Sequence, residues 1–260
     1  MFQTLVARNE MTITIDVKKK IWKSSLFKIP EICTLYNLSY DSRNPLSQFP
    51  VFVCQSDDVG DPLITYLMQE LNGRLTMTPL NGYEATKSIY IYTFLYAIAK
   101  SISTSFRVLP ERYIEGLKAK GNADYSVELE GGKILGVTEV KREDYLQGIA
   151  QNAIQISRKG KKLICLVSGS PQWYFLKYTP DHPPCVSKRY SVVYDKGEAA
   201  MKDITTITGT ISWLLKGGLE EYTEFETPNK KTDNVQVASR TQREESYQDT
   251  SLGVIILLSI

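Results

Sequence analysis

Apolar residues recur along this chain with two different periods, and the alternation between them lays out a candidate fold. Met11 to Val17 alternates polar and apolar side chains, the period-two pattern of a half-buried strand. A short helix is expected over Pro30 to Tyr36 and a strand over Phe49 to Cys54. The polar run Gln55-Ser-Asp-Asp-Val-Gly60 then marks a candidate boundary. Asp61-Pro62 reads as a helix start and Gly73 as its stop, with Leu63, Tyr66, Leu67 and Leu71 forming one apolar stripe. A second helix, from Asn81 or Gly82 to Lys100, is apolar around most of its circumference and is therefore expected to be buried.

After Pro110 the period shortens. Strands are expected over 112–117, 122–130 and 133–141, then a helix over 143–158 and a strand over 162–168. The turn Gly169-Ser-Pro-Gln172 leads into a hairpin partner over 173–178. A strand over 189–194 precedes a last helix from Glu198 to about Lys216, ended by Gly217-Gly218. From Pro228 to Thr250 apolar residues are scarce, which predicts a disordered tail. The pattern divides the chain into a partly β extension (1–60), a main domain (61–228) and a tail (229–260). Whether the extension is a separate unit or adds strands to the main sheet stays open at this level.

Composition narrows the chemistry. With 260 residues, 42% hydrophobic and 23% charged, the chain can bury a real core. A net charge of only +2 gives no global positive field, so any nucleic-acid contact has to be local. The densest basic run is Arg158, Lys159, Lys161 and Lys162, and a smaller group is Lys188 and Arg189. The single histidine, His182, lies in a proline-rich turn, which excludes multi-histidine metal sites. Four scattered cysteines without a CxxC pair argue against a disulfide framework or a zinc knuckle. The first residues lack the apolar stretch of a signal peptide, and no run approaches the ~20 apolar residues of a membrane span. An intracellular protein without membrane contact is expected.

Between the second and third strands of the 112–141 region, Gly131-Gly132 invites a two-residue turn, because glycine reaches positive φ. Glu130 then faces Lys133, and stepping back along both strands sets Asp124 opposite Glu139. Directly opposed Cβ atoms lie about 4.5–5.5 Å apart, and like charges there destabilise a sheet. A divalent cation between them removes the conflict, and Mg²⁺ (or Mn²⁺) suits an all-oxygen pair. Lys141, two residues beyond Glu139, falls on the same face. The other face is expected to carry Tyr125, Val127, Leu129, Ile134, Thr138 and Val140 and to pack on a helix. Gln147, Gln151 and Gln155 recur at one-turn spacing, a polar ridge suited to a nucleic-acid backbone. Glu84, in the first turn of a buried helix, is placed to face the same site.

These residues resemble a known superfamily. Acid on the second strand and Glu-x-Lys on the third, in the order αβββαβ, is similar to the core of PD-(D/E)XK nucleases. The segments that carry this are Gly121-Asn-Ala-Asp-Tyr-Ser-Val, Leu135-Gly-Val-Thr-Glu-Val-Lys141 and Gly148-Ile-Ala-Gln-Asn152. They also resemble the nuclease-like C-terminal domains of Crinkler-type effectors. The resemblance, over roughly Asp61 to Tyr178, implies an α/β (α+β), restriction-endonuclease-like core with a central mixed sheet flanked by helices. It implies that Asp124 and Glu139 hold the metal with the carbonyl of Val140, that Lys141 positions the water, that Glu84 is the helical acid, and that Gln151 contacts phosphate or metal. The expected partner is nucleic acid, DNA before RNA, held by the local basic run, and the compartment implied is the nucleus. Ala123 replaces the motif's proline, and Gln155 stands where RecB-like relatives carry tyrosine. The rival expectation is a catalytically inactive nuclease-like domain that binds nucleic acid or a host protein.

Overall fold

In the computed structural model, residues 22–226 are described except 81, 117–118, 156–162, 170, 180–181 and 195–197. The strand expected over 11–17, the basic run Arg158 to Lys162 and the tail over 229–260 lie outside the described residues.

The elements follow in chain order. β1 (Trp22–Lys23) leads through one 3-10 turn (Ser24–Leu26) into α1 (Ile29–Leu35), β2 (Val51–Phe52), α2 (Asp61–Met77) and α3 (Glu84–Ile102). Next come β3 (Phe106–Glu115), β4 (Ala119–Leu129), β5 (Lys133–Val140), α4 (Tyr145–Gln155), β6 (Leu163–Ser168) and β7 (Gln172–Tyr178). The short strands β8 (Cys185–Ser187) and β9 (Tyr190–Ser191) precede α5 (Glu198–Glu226). From α3 to β6 the order is the expected αβββαβ.

Among the described residues, all strands join one mixed sheet in the order β1-β4-β5-β6-β7-β8-β2, with β3 on the other flank of β4 and β9 on β7. β3, β4 and β5 are antiparallel neighbours, whereas β5 and β6 run parallel because α4 carries the chain back between them. The segment before Asp61 extends this sheet: β1 pairs with β4 and β2 with β8, both in parallel.

Helices cover both faces. On one, Tyr90, Phe94 and Ile98 of α3 pack with Leu67 of α2, Ile207 and Ile211 of α5, and Val127, Val140, Leu166 and Trp173 of the sheet. On the other, Ile149, Ala153 and Ile154 of α4 and Ile32 of α1 pack on Val137, Cys165, Val167 and Leu176. Burial on both faces is why Leu166 and Val167 are adjacent apolar residues with opposite destinations.

Four expectations at element ends are corrected. α2 passes Gly73 and runs to Met77, since the cost of one helical glycine, about 1 kcal/mol, is small against burying Leu67 and Leu71. α5 passes Gly217-Gly218 for the same reason, with Leu219 still packed on the core. β3 starts before Pro110, which is tolerated because β3 is an edge strand with β4 as its neighbour. The hairpin turn is not the two-residue type: Leu129 pairs with Lys133, and Gly131 and Gly132 both take positive φ (99° and 82°).

That last difference is cancelled within the hairpin. The register shifts by one residue at Val127/Glu128, so Leu135 is the extra residue of a β-bulge. Beyond it Ser126 pairs with Val137 and Tyr125 with Thr138, which restores the register that sets Asp124 against Glu139. The bulge also moves Ile134 to the α4 face, opposite to where simple alternation puts it, and Leu135 takes the α3 and α5 face.

The segment 55–58 is strapped onto α5. Lys216 Nζ meets Asp57 Oδ2 at 2.9 Å, Ser212 Oγ donates to the same oxygen at 3.1 Å, and the Asp57 N–H donates to the Gly209 carbonyl. A Cβ at Gly209 would overlap Ser56 Oγ and the Asp57 carbonyl oxygen. Gly209→Ala should therefore destabilise the protein by about 1–3 kcal/mol in urea unfolding, although helix propensity alone would favour alanine by about 1 kcal/mol. A stabilised variant would show that the strap is not held as described.

Candidate active site

The residues expected on an open strand face are gathered instead at the C-terminal end of β5, where Glu84 of α3 and Gly148 of α4 both approach Lys141. β4 and β5 part company there. The last paired residues are Tyr125 and Thr138, and the Val140 N–H donates to the Asp124 carboxylate Oδ2 at 2.6 Å. A side chain thus stands in for the neighbouring backbone and holds the two strands apart. The gap is closed further down by β1, which takes the side of β4 that β5 has left, since Lys120 pairs with Glu115 of β3 and also with Lys23.

Glu139 points to the α4 face and is 2% exposed. Its Oε2 accepts a hydrogen bond from Lys141 Nζ at 3.0 Å, while its Oε1 is buried without a hydrogen-bond partner. Burial and the neighbouring Asp124 push the Glu139 carboxyl up to about 7, against the pull of Lys141. Burial also raises Asp124, partly offset by the Val140 N–H and by Lys141. Lys141 Nζ lies 3.9 Å from Glu84 Oε1, so the lysine bridges a buried acid on the sheet and a half-exposed one on α3.

The stem of Lys141 runs along α4. A Cβ at Gly148 would stand 2.9 Å from Lys141 Cγ and 2.6 Å from Val167 Cγ1, so the missing side chain is what lets helix and lysine meet. Gln151, one turn later, is buried, and among the described residues its amide makes no hydrogen bond.

The rest of the glutamine ridge is spent internally, which corrects its assignment as a nucleic-acid contact. Gln147 Nε2 donates to the Phe27 carbonyl at 2.9 Å and to that of Ser25 at 3.2 Å. Gln155 is fully buried and donates to Ser24 Oγ at 2.7 Å. Both tie the β1 to α1 segment to α4. Periodicity on a helix cannot separate such anchoring from substrate contact.

Sequence reasoning missed Lys87. It sits one turn after Glu84, is buried, and donates from Nζ to the Arg142 carbonyl, fixing the backbone just past Lys141. Burial lowers its pKa. The signal was present as a lysine one turn from Glu84, just ahead of the long apolar run of the same helix.

Among the described residues, no three His, Cys, Asp or Glu side chains converge as a metal cage. The residues present nevertheless fit a hard cation: two adjacent carboxylates, one with a buried oxygen lacking any partner. A cation that keeps most of its shell as water or substrate needs only one or two carboxylates.

The fold and site therefore define a mixed α/β domain with two carboxylates and a lysine at the end of a central strand. In an alignment of 239 positions that covers 83% of this chain, it is 29% identical to Crinkler effector protein 1 of Rhizophagus irregularis. Over 39% of its length it is 26% identical to Crinkler effector protein 5 of Phytophthora infestans. The matches span 51% and 31% of those two proteins, so the chain spans about half the length, or less, of the curated relatives it matches. No family model matches it. Among solved structures, a chain of a DrdV–DNA complex shares 11% identity at a TM-score of 0.39, over 61% of this chain and 96% of that one. No helix among the described residues is long and apolar enough to cross a membrane.

The raised Glu139 carboxyl has a measurable consequence. Between its ordinary value of 4.5 and about 7, the metal-free folded protein holds a proton that the unfolded chain has released. Stability should fall as pH rises through that window, by on the order of 3 kcal/mol in all. Glu139→Gln should flatten this profile, gaining on the wild type as pH climbs from 4.5 to about 7 in denaturant unfolding with EDTA. Parallel profiles would show that Glu139 is not the titrating group.

Proposed function

We propose that this protein is a metal-dependent nuclease of the PD-(D/E)XK kind, hydrolysing phosphodiester bonds of nucleic acid, DNA in preference to RNA. The observation that carries this reading is the pairing of Asp124 with a buried Glu139 whose free Oε1 has no partner, while Lys141 is fixed on its other oxygen. A buried, unpartnered carboxylate oxygen is costly unless something binds it. The similarity to Crinkler effector proteins supports the same reading and an effector role.

Asp124 and Glu139, with the carbonyl of Val140, would hold Mg²⁺ or Mn²⁺. When bound, the metal lowers the pKa of a water and stabilises charge on the phosphoryl group. The chain's own residues do the rest. Lys141, held by Glu139 and Glu84, presents its ammonium where the attacking water must be oriented. Gly148 keeps the lysine stem against α4. Gln151 offers a free amide to a phosphate oxygen, and Lys87 keeps the 140–142 backbone in place.

A second reading has its own support. Asp124 Oδ2 and Glu139 Oε2 already have partners within the chain, as they would in a domain that binds nucleic acid without cutting it.

Plasmid cleavage in Mg²⁺ or Mn²⁺ distinguishes the two. Asp124→Ala and Lys141→Ala should each lose about 100-fold or more in rate. No cleavage by wild type in either metal, or equal cleavage by all three proteins, rejects the nuclease, and binding without cleavage favours the second reading. In the same assay Gly148→Ala should reduce kcat about tenfold or more with little change in KM, because it shifts Lys141 without touching substrate. A changed KM with intact kcat would place Gly148 in the substrate surface instead.

A further inference from the structure

The sheet carries a second polar group in line with the two carboxylates. Glu139 on β5 pairs with Val167 on β6, and Val167 with Tyr174 on β7. The next position belongs to the segment between β8 and β9. β7 pairs Leu176 with Val186 but Trp173 with Tyr190, so three steps on β7 match four on its partner. Lys188 and Arg189 link β8 to β9 across this one-residue excess, beside the stretch of β7 that holds Tyr174. They part to opposite faces: Lys188 lies over the Tyr190 ring, 5.3 Å from its centroid, on the α3 and α5 side. Burial raises the Tyr174 and Tyr145 hydroxyls and the positive charge of Arg189 offsets part of that rise, which sets Arg189 near the two rings on the side of Glu139.

Glu139, Val167 and Tyr174 therefore form one row across the sheet, with Asp124 beyond one end and Arg189 beyond the other. Tyr145 and Tyr174 are half-buried neighbours, with ring centroids 6.0 Å apart. A Cβ at Gly169 would stand 2.5 Å from both the Tyr145 hydroxyl and the Lys141 carbonyl oxygen, so this aromatic pair adjoins the end of β5. Arg189 is exposed, and among the described residues no carboxylate pairs with it. Two phenolic O–H groups and a guanidinium offer donors in abundance and suit an oxygen-rich anion.

We propose that Arg189, Tyr174 and Tyr145 form a subsite for a backbone phosphate of the nucleic acid, a few nucleotides from the bond that is cut. The proposal rests on the nuclease reading for the identity of the ligand. At about 4.8 Å per strand, Arg189 stands about 14 Å from Glu139 along the row, a span of a few nucleotides. The middle of the row is closed, because Gly148 of α4 sits on Val167. The bound strand accordingly crosses the first turn of α4, where Tyr145 stands, rather than lying on the sheet.

The test is fluorescence anisotropy of a labelled DNA duplex and of the same RNA duplex, in EDTA to prevent hydrolysis, over a range of salt concentrations. Arg189→Ala should weaken binding about fivefold to tenfold and lower the salt slope by about one. Arg189→Lys should keep the slope but not all of the affinity, and Tyr174→Phe should weaken binding at unchanged slope. Lys100→Ala, which removes one exposed positive charge elsewhere, should match the wild type. Arg189→Ala with wild-type affinity, slope and melting temperature overturns the subsite and leaves the nuclease reading standing. Wild-type protein that binds neither duplex overturns the subsite and leaves the nuclease reading to the plasmid assay, and binding that depends on Arg189 without cleavage in Mg²⁺ keeps the subsite while rejecting catalysis.

Discussion

One substitution of partners governs the middle of this molecule: at Val140 the hydrogen bond expected from a neighbouring strand is accepted by the carboxylate of Asp124. A charge-assisted bond of this kind is stronger than the backbone bond it replaces. It keeps β4 and β5 apart past Tyr125 and Thr138, and that separation places the Asp124 carboxylate beside Glu139. It also creates an opening in an otherwise continuous sheet. β1, the 3-10 turn after it and the Gln155 side chain fill the far end, so that only the end nearest Lys141 is left for chemistry.

The second constraint is electrostatic. Glu139 is buried as deeply as the core residues around it, yet one of its oxygens has no donor. Lys141 offsets part of the desolvation, and the upward shift of the Glu139 carboxyl shows that it does not offset all of it. The remaining imbalance is what a cation would remove. The site's construction is thus intelligible as a compromise: a core apolar enough to fix the groups in place, and a deficit of positive charge where the proposed cation would sit.

Much of this was legible in the sequence, though not always for the right reason. The opposition of Asp124 and Glu139 followed from assuming a two-residue turn; the real turn is longer, and the bulge at Leu135 restores the register. Two departures cancelled. Ile134, which lies between them, went to the other face. The order of elements from α3 to β6 was readable because long apolar runs and turn residues separate them clearly. What escaped were features decided at a distance. Trp22–Lys23 is a two-residue strand with no periodicity to detect, defined only by a partner far along the chain, and Val51–Phe52 is what remains of the strand expected over Phe49 to Cys54, its pairing with β8 unreadable from spacing. Gln147 and Gln155 looked like a ridge for substrate because sequence shows spacing but not what lies opposite. Helix ends at glycines were misplaced because local propensity is a small cost beside the burial that continues past them.

Those two short parallel strands also constrain the order in which the molecule can assemble. β1 and β2 precede everything they pair with, β4 and β8 respectively, and the intervening chain includes α2 and α3. During synthesis the early segment must therefore wait without its hydrogen-bonding partners until most of the sheet exists. Pairings between residues so far apart in sequence carry a high closure entropy and form slowly. The helices α2 and α3 and the β3–β4–β5 meander can form from local contacts first. The early segment then docks onto a nearly finished sheet, and the lower half of the gap between β4 and β5 is sealed only at that late step.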